Sequence, residues 1–230
     1  MKTAALFLGL IAATAAHAAA PEIDPRVPRS ILRGTVMVES GAATFRTCGE
    51  KGRDYSLTDA TREGELLRLY GELASRGGAP VFMELRGVVA AAPADARIDR
   101  VVLAEAVERA EREGPGCRRP IGRFDALVIG STPAWQIEIS RAGVTYAAID
   151  PPGMKMFPPF SGEWPTSGAV RYEASTEGGT LTIALEPARC RDAASGNVYS
   201  LAARVLFNGN EYRGCAFRGR AGTAAPAASR

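Results

Sequence analysis

Met154 and Met156, which flank Lys155, are the most suggestive pair of ligand-type residues in this sequence. Thioethers are soft ligands that suit Cu(I), so a Met-x-Met pair raises the alternative of a copper site. Such a site needs a third ligand, for which Met37 and Met83 are the candidates. The simpler interpretation is that both methionines pack their own segment against the body of the protein. We therefore expect no cofactor and keep copper handling through Met154 and Met156 as an alternative.

The sequence has a single histidine, His17, inside a segment with the features of a secretory signal peptide. This segment, residues 1–18, has a positive start at Lys2, an apolar stretch, and small residues up to a cleavage site at Ala18. The apolar stretch is too short to span a bilayer, and no second run of about 20 apolar residues follows it. We expect a periplasmic or secreted protein without a transmembrane segment, cleaved near Ala18. Cleavage removes the imidazole that Ser-His-Asp and Cys-His catalysis require.

The four cysteines are Cys48, Cys117, Cys190 and Cys215. None forms a Cys-x-x-Cys pair, which argues against a zinc site and against a thioredoxin-type redox site. An even number of cysteines in an exported chain predicts two disulfides. Of the three possible pairings we favour Cys48–Cys117 and Cys190–Cys215, because each pair then lies within one folding unit.

Paired carboxylates are the remaining route to hydrolysis, and Asp125, Glu138 and Asp192 are the candidates. Nothing in their spacing fixes the separation that such chemistry needs, so we expect solvated or salt-bridged carboxylates and no enzyme. Asp192 and Ser195 follow Cys190 in a predicted turn. Local hydrogen bonding that shapes the turn is their simpler role, and part of a binding rim is the alternative.

A proline-rich loop over residues 150–166 carries three aromatic side chains, Phe157, Phe160 and Trp164. Prolines lower the entropy lost on docking and aromatics supply contact area, which favours a surface that touches a partner or ligand. The alternative is that the loop folds over an open barrel end as a hydrophobic plug. A net charge of +3, with basic residues scattered among acids, gives no indication of a nucleic-acid partner.

The first half of the chain reads as three strands, one helix and two strands. An extended leader at residues 19–30 precedes them. Leu66, Leu67, Tyr70 and Leu73 lie on one face of the predicted helix, which Thr58 or Asp59 caps and Gly77-Gly78 ends. This order is that of an OB-like five-stranded barrel, here over residues 31–117, and other small α+β folds share it. The predicted strands cover residues 31–39, 43–48, 53–57, 80–90 and 97–104. Residues 105–113 are open between a strand extension and a short helix, and their charges indicate a solvated surface.

The second half, residues 118–218, reads as an all-β unit. Its clearest element is a hairpin in which Asn208-Gly209 separates two strand-like runs, the strongest short-range hairpin signal. A tail over residues 219–230 is predicted to be disordered. The predicted strands cover residues 124–130, 134–140, 143–149, 168–175, 180–187, 201–207 and 210–217.

Three motifs in the second half resemble an uncharacterised bacterial envelope and lipoprotein family. FDALVIGSTPAW, from Phe124, resembles its F-x-A-x-G-T-E-P-F-W element; CRDAASGNVY, from Cys190, resembles its C-x-D-x-M-S element; Gly214-Cys215-Ala216 resembles its closing G-C-A. The resemblance implies a small barrel similar to META domains. The first half is similar to the OB-type module of the NlpE group of lipoproteins, which are linked to copper response and adhesion sensing. Ser131-Thr132 replaces the Thr-Glu of the pattern, Ala134 replaces one aromatic, and Ala194 replaces the Met. The resemblance therefore implies architecture rather than mechanism.

Together these features predict a mainly β protein with one helix and two small barrel-like domains, each with a disulfide. An OB-like domain comes first, and a META-like antiparallel barrel follows it. The predicted role is non-catalytic: an exported binding protein that contacts an envelope protein or a small ligand through the 150–166 loop. Inhibition of lysozyme is one concrete version. The alternatives are copper handling and, last, a carboxylate hydrolase.

Overall fold

The computed structural model describes residues 26–92, 97–112, 116–118, 124–148, 152–159 and 168–219. These residues form mainly β-strands and one α-helix, arranged as a closed five-stranded barrel followed by a nearly closed eight-stranded barrel. The predicted signal peptide, most of the leader and the tail beyond residue 219 lie outside the described residues. No described helix has the length and apolar character that a membrane crossing needs.

The first barrel has the strand order of an OB fold. Parallel pairing of β3 with β5 closes it, and the helix lies between β3 and β4, which confirms the predicted architecture. Its elements are β1 Ser30–Glu39, β2 Ala42–Thr47, β3 Asp54–Asp59, α1 Glu65–Leu73, β4 Val81–Ala91 and β5 Arg100–Glu111.

A tight turn and a close strand approach build the start of this barrel. Ser40 and Gly41, between β1 and β2, have φ values of 50° and 81°, and positive φ at both central residues is what a type I′ hairpin turn requires. Gly34 lies opposite Thr47 on β2, where a Cβ atom would come within 2.1 Å of the Arg46 carbonyl oxygen. The absence of a side chain there allows β1 to curve closely over β2.

The helix buries a narrower face than the sequence predicts. Leu66, Leu69, Tyr70 and Leu73 are buried, whereas Leu67 is 43% exposed, so its placement on the buried face was wrong. A nine-residue helix has one buried stripe at i, i+3, i+4 and i+7, and position i+1 lies about 100° away from it. The N-cap residue is Gly64 rather than Thr58 or Asp59, but the Asp59 carboxylate accepts a hydrogen bond from the Leu67 amide in the first turn. The helix ends at Leu73, before Gly77-Gly78.

For residues 105–113 the sequence allowed either a strand or a short helix. The structure shows a strand, because β5 continues to Glu111. The expectation that its charged side chains are solvated was wrong, because Glu108, Arg109 and Glu111 are at most 3% exposed. They lie at the junction between the two barrels, where ion pairs and hydrogen bonds compensate their burial. The sequence pattern of alternating charges therefore marks a buried polar interface.

The second barrel is an antiparallel sheet whose strands follow the order β10-β11-β14-β15-β6-β7-β8-β9. Its core includes Trp135, Ile137, Ile139, Tyr146, Phe157, Leu181 and Ile183. Tyr172 donates a hydrogen bond to the Pro158 carbonyl across the seam between β10 and β9. The elements are β6 Ala126–Ser131, β7 Ala134–Ser140, β8 Gly143–Ala148, β9 Gly153–Phe157, β10 Val170–Thr176, β11 Gly179–Glu186, β12 Cys190–Arg191, β13 Val198–Tyr199, β14 Leu201–Phe207 and β15 Asn210–Arg218.

Strands β12 and β13 leave the second barrel and join the sheet of the first. Val198 and Tyr199 of β13 pair with Ala110 and Arg109 of β5. The disulfides are Cys48–Cys117 and Cys190–Cys215, the predicted pairing. A short segment of the predicted second domain thus completes the sheet of the first, so the two barrels are joined by strand pairing as well as by the chain.

Arg109 lies at the centre of this junction and is 1% exposed. Its guanidinium lies 4.9 Å from the ring centroid of Phe82 in the first barrel and 4.4 Å from that of Phe217 in the second. It donates hydrogen bonds to Glu84 and Glu111 at 2.8 and 2.9 Å. Two carboxylates and two aromatic faces compensate this buried charge, while Nε has no hydrogen-bond partner among the described residues.

Candidate functional site

A groove of about 540 Å³ lies on the outer face of the first barrel, a volume within the range of small-ligand sites. Strands β1, β2 and β3 form its floor, and the β1–β2 turn and residues 97–98 before β5 form parts of its rim. In OB barrels this face, with the loops after strands 1 and 4, is where oligonucleotides and oligosaccharides bind. The groove is therefore the candidate binding site of this chain.

Strand register sets the floor of the groove in two rows of side chains. In one row, Met37 of β1 lies opposite Thr44 of β2, which lies opposite Ser56 of β3. In the other row, Thr35 lies opposite Arg46, which lies opposite Asp54, so the charged pair at the end of this row forms one side of the rim. Neighbouring strands bring such directly opposed side chains within about 5.5 Å of each other, so the rows form one continuous surface. The alternate side chains of these strands, such as Val36 and Phe45, point into the barrel core.

The floor is uncharged and the rim is charged. Thr35, Met37, Thr44 and Ser56 are half-buried, whereas the charged lining residues are exposed. Arg46 Nε lies 3.8 Å from Asp54 Oδ1 in an exposed ion pair. The charged lining residues are Glu39, Arg46, Asp54 and Arg97, two acids and two bases.

The lining offers polar groups that can bind a ligand through hydrogen bonds. Its described side chains supply hydroxyls, two guanidinium groups, two carboxylates and a thioether, and they include neither histidine nor cysteine. Hydroxyl and guanidinium groups donate hydrogen bonds, and carboxylates accept them. Such a set orients a polar ligand without supplying an imidazole base or a thiolate nucleophile.

The aromatic segment 150–166, which was predicted to be a contact loop, differs from that prediction in its described part. Residues 153–157 form an edge strand rather than a loop. Phe157 is 4% exposed and packs edge-on against Phe207 in the second core, so its assignment as a binding contact was wrong. Alternation places Phe157 on the inner face of β9. Phe160 and Trp164 lie outside the described residues.

Met154 and Met156 are 67% and 66% exposed, so the expectation that they pack against the barrel was wrong. They lie on β9 opposite Ala147 and Thr145. Met83 is completely buried in the core of the first barrel and is not available as the third copper ligand. Met37 lines the groove of that same barrel. Within the described part of the chain, no cluster of three or more His, Cys, Asp or Glu side chains is arranged to hold a metal.

Asp192 and Ser195 shape a local turn. The Asp192 carboxylate accepts hydrogen bonds from the Ser195 amide at 2.9 Å and from its hydroxyl at 2.6 Å. Burial raises the pKa of Asp192, but these hydrogen bonds and one from Ser131 outweigh it, so the pKa lies below its ordinary value. This geometry fits the simpler of the two predicted roles, and neither residue lines the groove.

The carboxylates considered for hydrolysis have different environments. Asp125 is 8% exposed, and burial raises its pKa against the opposing charge of Arg141. Glu138 is exposed on β7, opposite Leu127 of β6. Neither carboxylate lines the groove.

The groove was not among the binding surfaces predicted from the sequence. The available signal was a partial alternation in β1 to β3, in which Thr35, Thr44 and Ser56 point to one face while Val36, Phe45 and Leu57 point to the core. Combined with the predicted OB order, that alternation defines the outer face. Comparisons with known proteins give no further guidance, because no family model, curated protein or solved structure matches the chain.

Proposed function

We propose that this chain is an exported, non-catalytic binding protein of the cell envelope, and that it holds its ligand in the groove over β1, β2 and β3. The observation that carries the proposal is the position of the groove. It lies on the OB face used for binding, with a half-buried polar floor and a charged rim. The proposed contact surface is thus the first barrel rather than the 150–166 loop.

Export is part of the proposal. Two disulfides hold the described residues, and no free cysteine remains among them, which is compatible with an oxidising compartment. Residues 1–18 have the composition of a signal peptide, with cleavage proposed near Ala18. The proposed location is the periplasm or the outside of the cell.

A blocked-groove variant tests the proposed function. Thr44→Trp places a large side chain over the centre of the floor, and Thr145→Trp makes the same change on a strand of the second barrel. Fractions of an envelope extract are added, and the protection of amides from hydrogen exchange is measured. We expect a fraction that protects β1 to β3 in the wild type and in Thr145→Trp but not in Thr44→Trp.

The fate of the bound material separates binding from catalysis. Mass spectrometry of the released ligand should show it chemically unchanged after prolonged incubation. Turnover of the ligand would contradict the non-catalytic assignment. Equal protection in Thr44→Trp and the wild type would show that the groove is not the binding site.

A further inference from the structure

We infer that the groove takes an uncharged, hydroxyl-rich oligosaccharide. This inference rests on the proposed function and names the class of ligand for the same site. Three properties of the described residues carry it: the balance of charge around the rim, the hydrogen-bonded state of the floor strands, and the chemical character of the floor side chains.

Charge balance argues against a polyanion. Two basic residues and two acidic residues line the groove, so their charges cancel; they are Arg46, Arg97, Glu39 and Asp54. Arg46 already forms an ion pair with Asp54. Proteins that bind nucleic acid without sequence preference rely on a positive groove along the phosphate backbone, with aromatic side chains on which bases stack. The described lining residues include no aromatic side chain and no excess of positive charge. A neutral ligand therefore fits this groove better than an oligonucleotide.

Among the described residues, none of the three floor strands is an edge strand of the sheet, although their pairing does not extend over the full length of each strand. Strand β1 pairs with β2 on one side and β4 on the other, β2 pairs with β1 and β3, and β3 pairs with β2 and β5. Extended peptides are commonly recognised by adding a strand to an exposed sheet edge, through main-chain hydrogen bonds. On this face the side chains must supply the recognition. An oligosaccharide, whose hydroxyls both donate and accept, is suited to such a surface.

The floor side chains match a sugar ring. The hydroxyls of Thr35 and Ser56 each offer one donor and two acceptor lone pairs, so they adapt to ligand hydroxyls of either polarity. The Thr44 hydroxyl donates to the Met37 carbonyl oxygen at 3.5 Å, so it faces a ligand as an acceptor. Met37 lies opposite Thr44 and supplies a polarizable apolar surface against which the C–H face of a pyranose can pack. The rim carboxylates and guanidinium groups then lie within the groove lining as additional partners for hydroxyls at the ligand's periphery.

The test uses defined probes and the full mature chain. Calorimetry measures binding of the β-1,4-linked hexamers of N-acetylglucosamine and of glucose, a thymidine oligonucleotide, and an unstructured Gly/Ser peptide. We expect at least one saccharide to bind, with an affinity that changes less than about twofold when salt rises severalfold, because no counterions are released. Thr44→Trp should lower that affinity by at least about tenfold, and Thr145→Trp should leave it unchanged.

Each contrary result is informative. Binding of the oligonucleotide or the peptide that Thr44→Trp abolishes would keep the groove as the binding site and overturn the saccharide inference. Saccharide binding that Thr44→Trp leaves intact would place the ligand elsewhere and overturn both. Absence of binding by every saccharide at millimolar concentration would overturn the inference, and the extract experiment would decide the proposed function separately.

Discussion

Cys190 lies in the sheet of the first barrel and Cys215 in the sheet of the second, and a disulfide joins their sulfur atoms. The hairpin that carries Cys190 pairs with β5 through only two residue pairs, Val198 with Ala110 and Tyr199 with Arg109. Tyr199 also stacks on Phe217, with ring centroids 5.8 Å apart. The covalent bond therefore holds a short hairpin in place between two barrels that meet through buried polar groups.

Removal of this disulfide should loosen the contact between the barrels. Loop-closure entropy for 25 residues gives a ceiling of about 3.5 kcal/mol for the loss of stability in Cys190→Ala/Cys215→Ala. We expect amides of β12 and β13 to exchange faster than those of β1 in this variant. Cys48→Ala/Cys117→Ala is the comparison variant, because its disulfide does not bond to the hairpin. Unchanged exchange in β13 would show that strand pairing alone holds the hairpin.

The buried ion pairs of Arg109 should make this side chain important for the stability of the fold. Arg109→Met leaves Glu84 and Glu111 buried with fewer compensating partners, and breaking a buried pair in this way costs about 3–5 kcal/mol. Arg171→Met, which removes an exposed pair with Glu173, should leave the unfolding midpoint unchanged. Urea unfolding of both variants checks the contrast. Equal midpoints would mean that Arg109 contributes no more than a surface arginine.

Arg218 should behave in the opposite way. It is 8% exposed, and its Nε and Nη2 atoms are buried without a hydrogen-bond partner among the described residues. Burial lowers its pKa, which Glu108 opposes and Arg86 reinforces. Arg218→Met keeps the aliphatic volume and removes the unsatisfied donors, so we expect stability to rise by about 1–3 kcal/mol. A loss of stability as large as that of Arg109→Met would contradict this account of the side chain.

Gly130 makes room for the ring of Trp135. The two residues lie opposite each other on β6 and β7, and a Cβ atom at position 130 would come within 2.3 Å of the indole. Gly130→Ala should therefore destabilise the second barrel by about 1–3 kcal/mol through overpacking. At Gly153, on edge strand β9, a Cβ atom meets nothing within 4 Å. Gly153→Ala is the control, and thermal unfolding should separate the two variants; equal midpoints would contradict the close contact.

The elements that were predictable from sequence are those fixed by local chemistry. The Asn208-Gly209 pair predicted the last hairpin correctly. Asn and Gly adopt positive φ readily, and their φ values here are 50° and 80°. The order of strands and helix gave the OB barrel. The pairing of the four cysteines was predicted correctly, but the reason given for it fails for the second pair, because the Cys190–Cys215 disulfide joins the sheets of the two barrels.

The elements that were not predictable depend on long-range partners. Arg109 is buried because Glu84, Phe82 and Phe217 surround it, and none of these lies near it in sequence. Phe157 is a core residue because β9 pairs with β8, which a proline-rich composition does not reveal. The groove arises from the register of three strands, so Thr44 and Ser56 were not recognised until the sheet aligned them.

The central claim is that ligand binds over β1, β2 and β3. The most direct measurement is a nuclear magnetic resonance titration of the mature chain with the tightest-binding saccharide hexamer, following every resolved amide. The account predicts that the largest shifts fall on Thr35, Met37, Thr44 and Ser56, with residues of the second barrel unmoved. Shifts concentrated on β9, around Met154 and Met156, would contradict it.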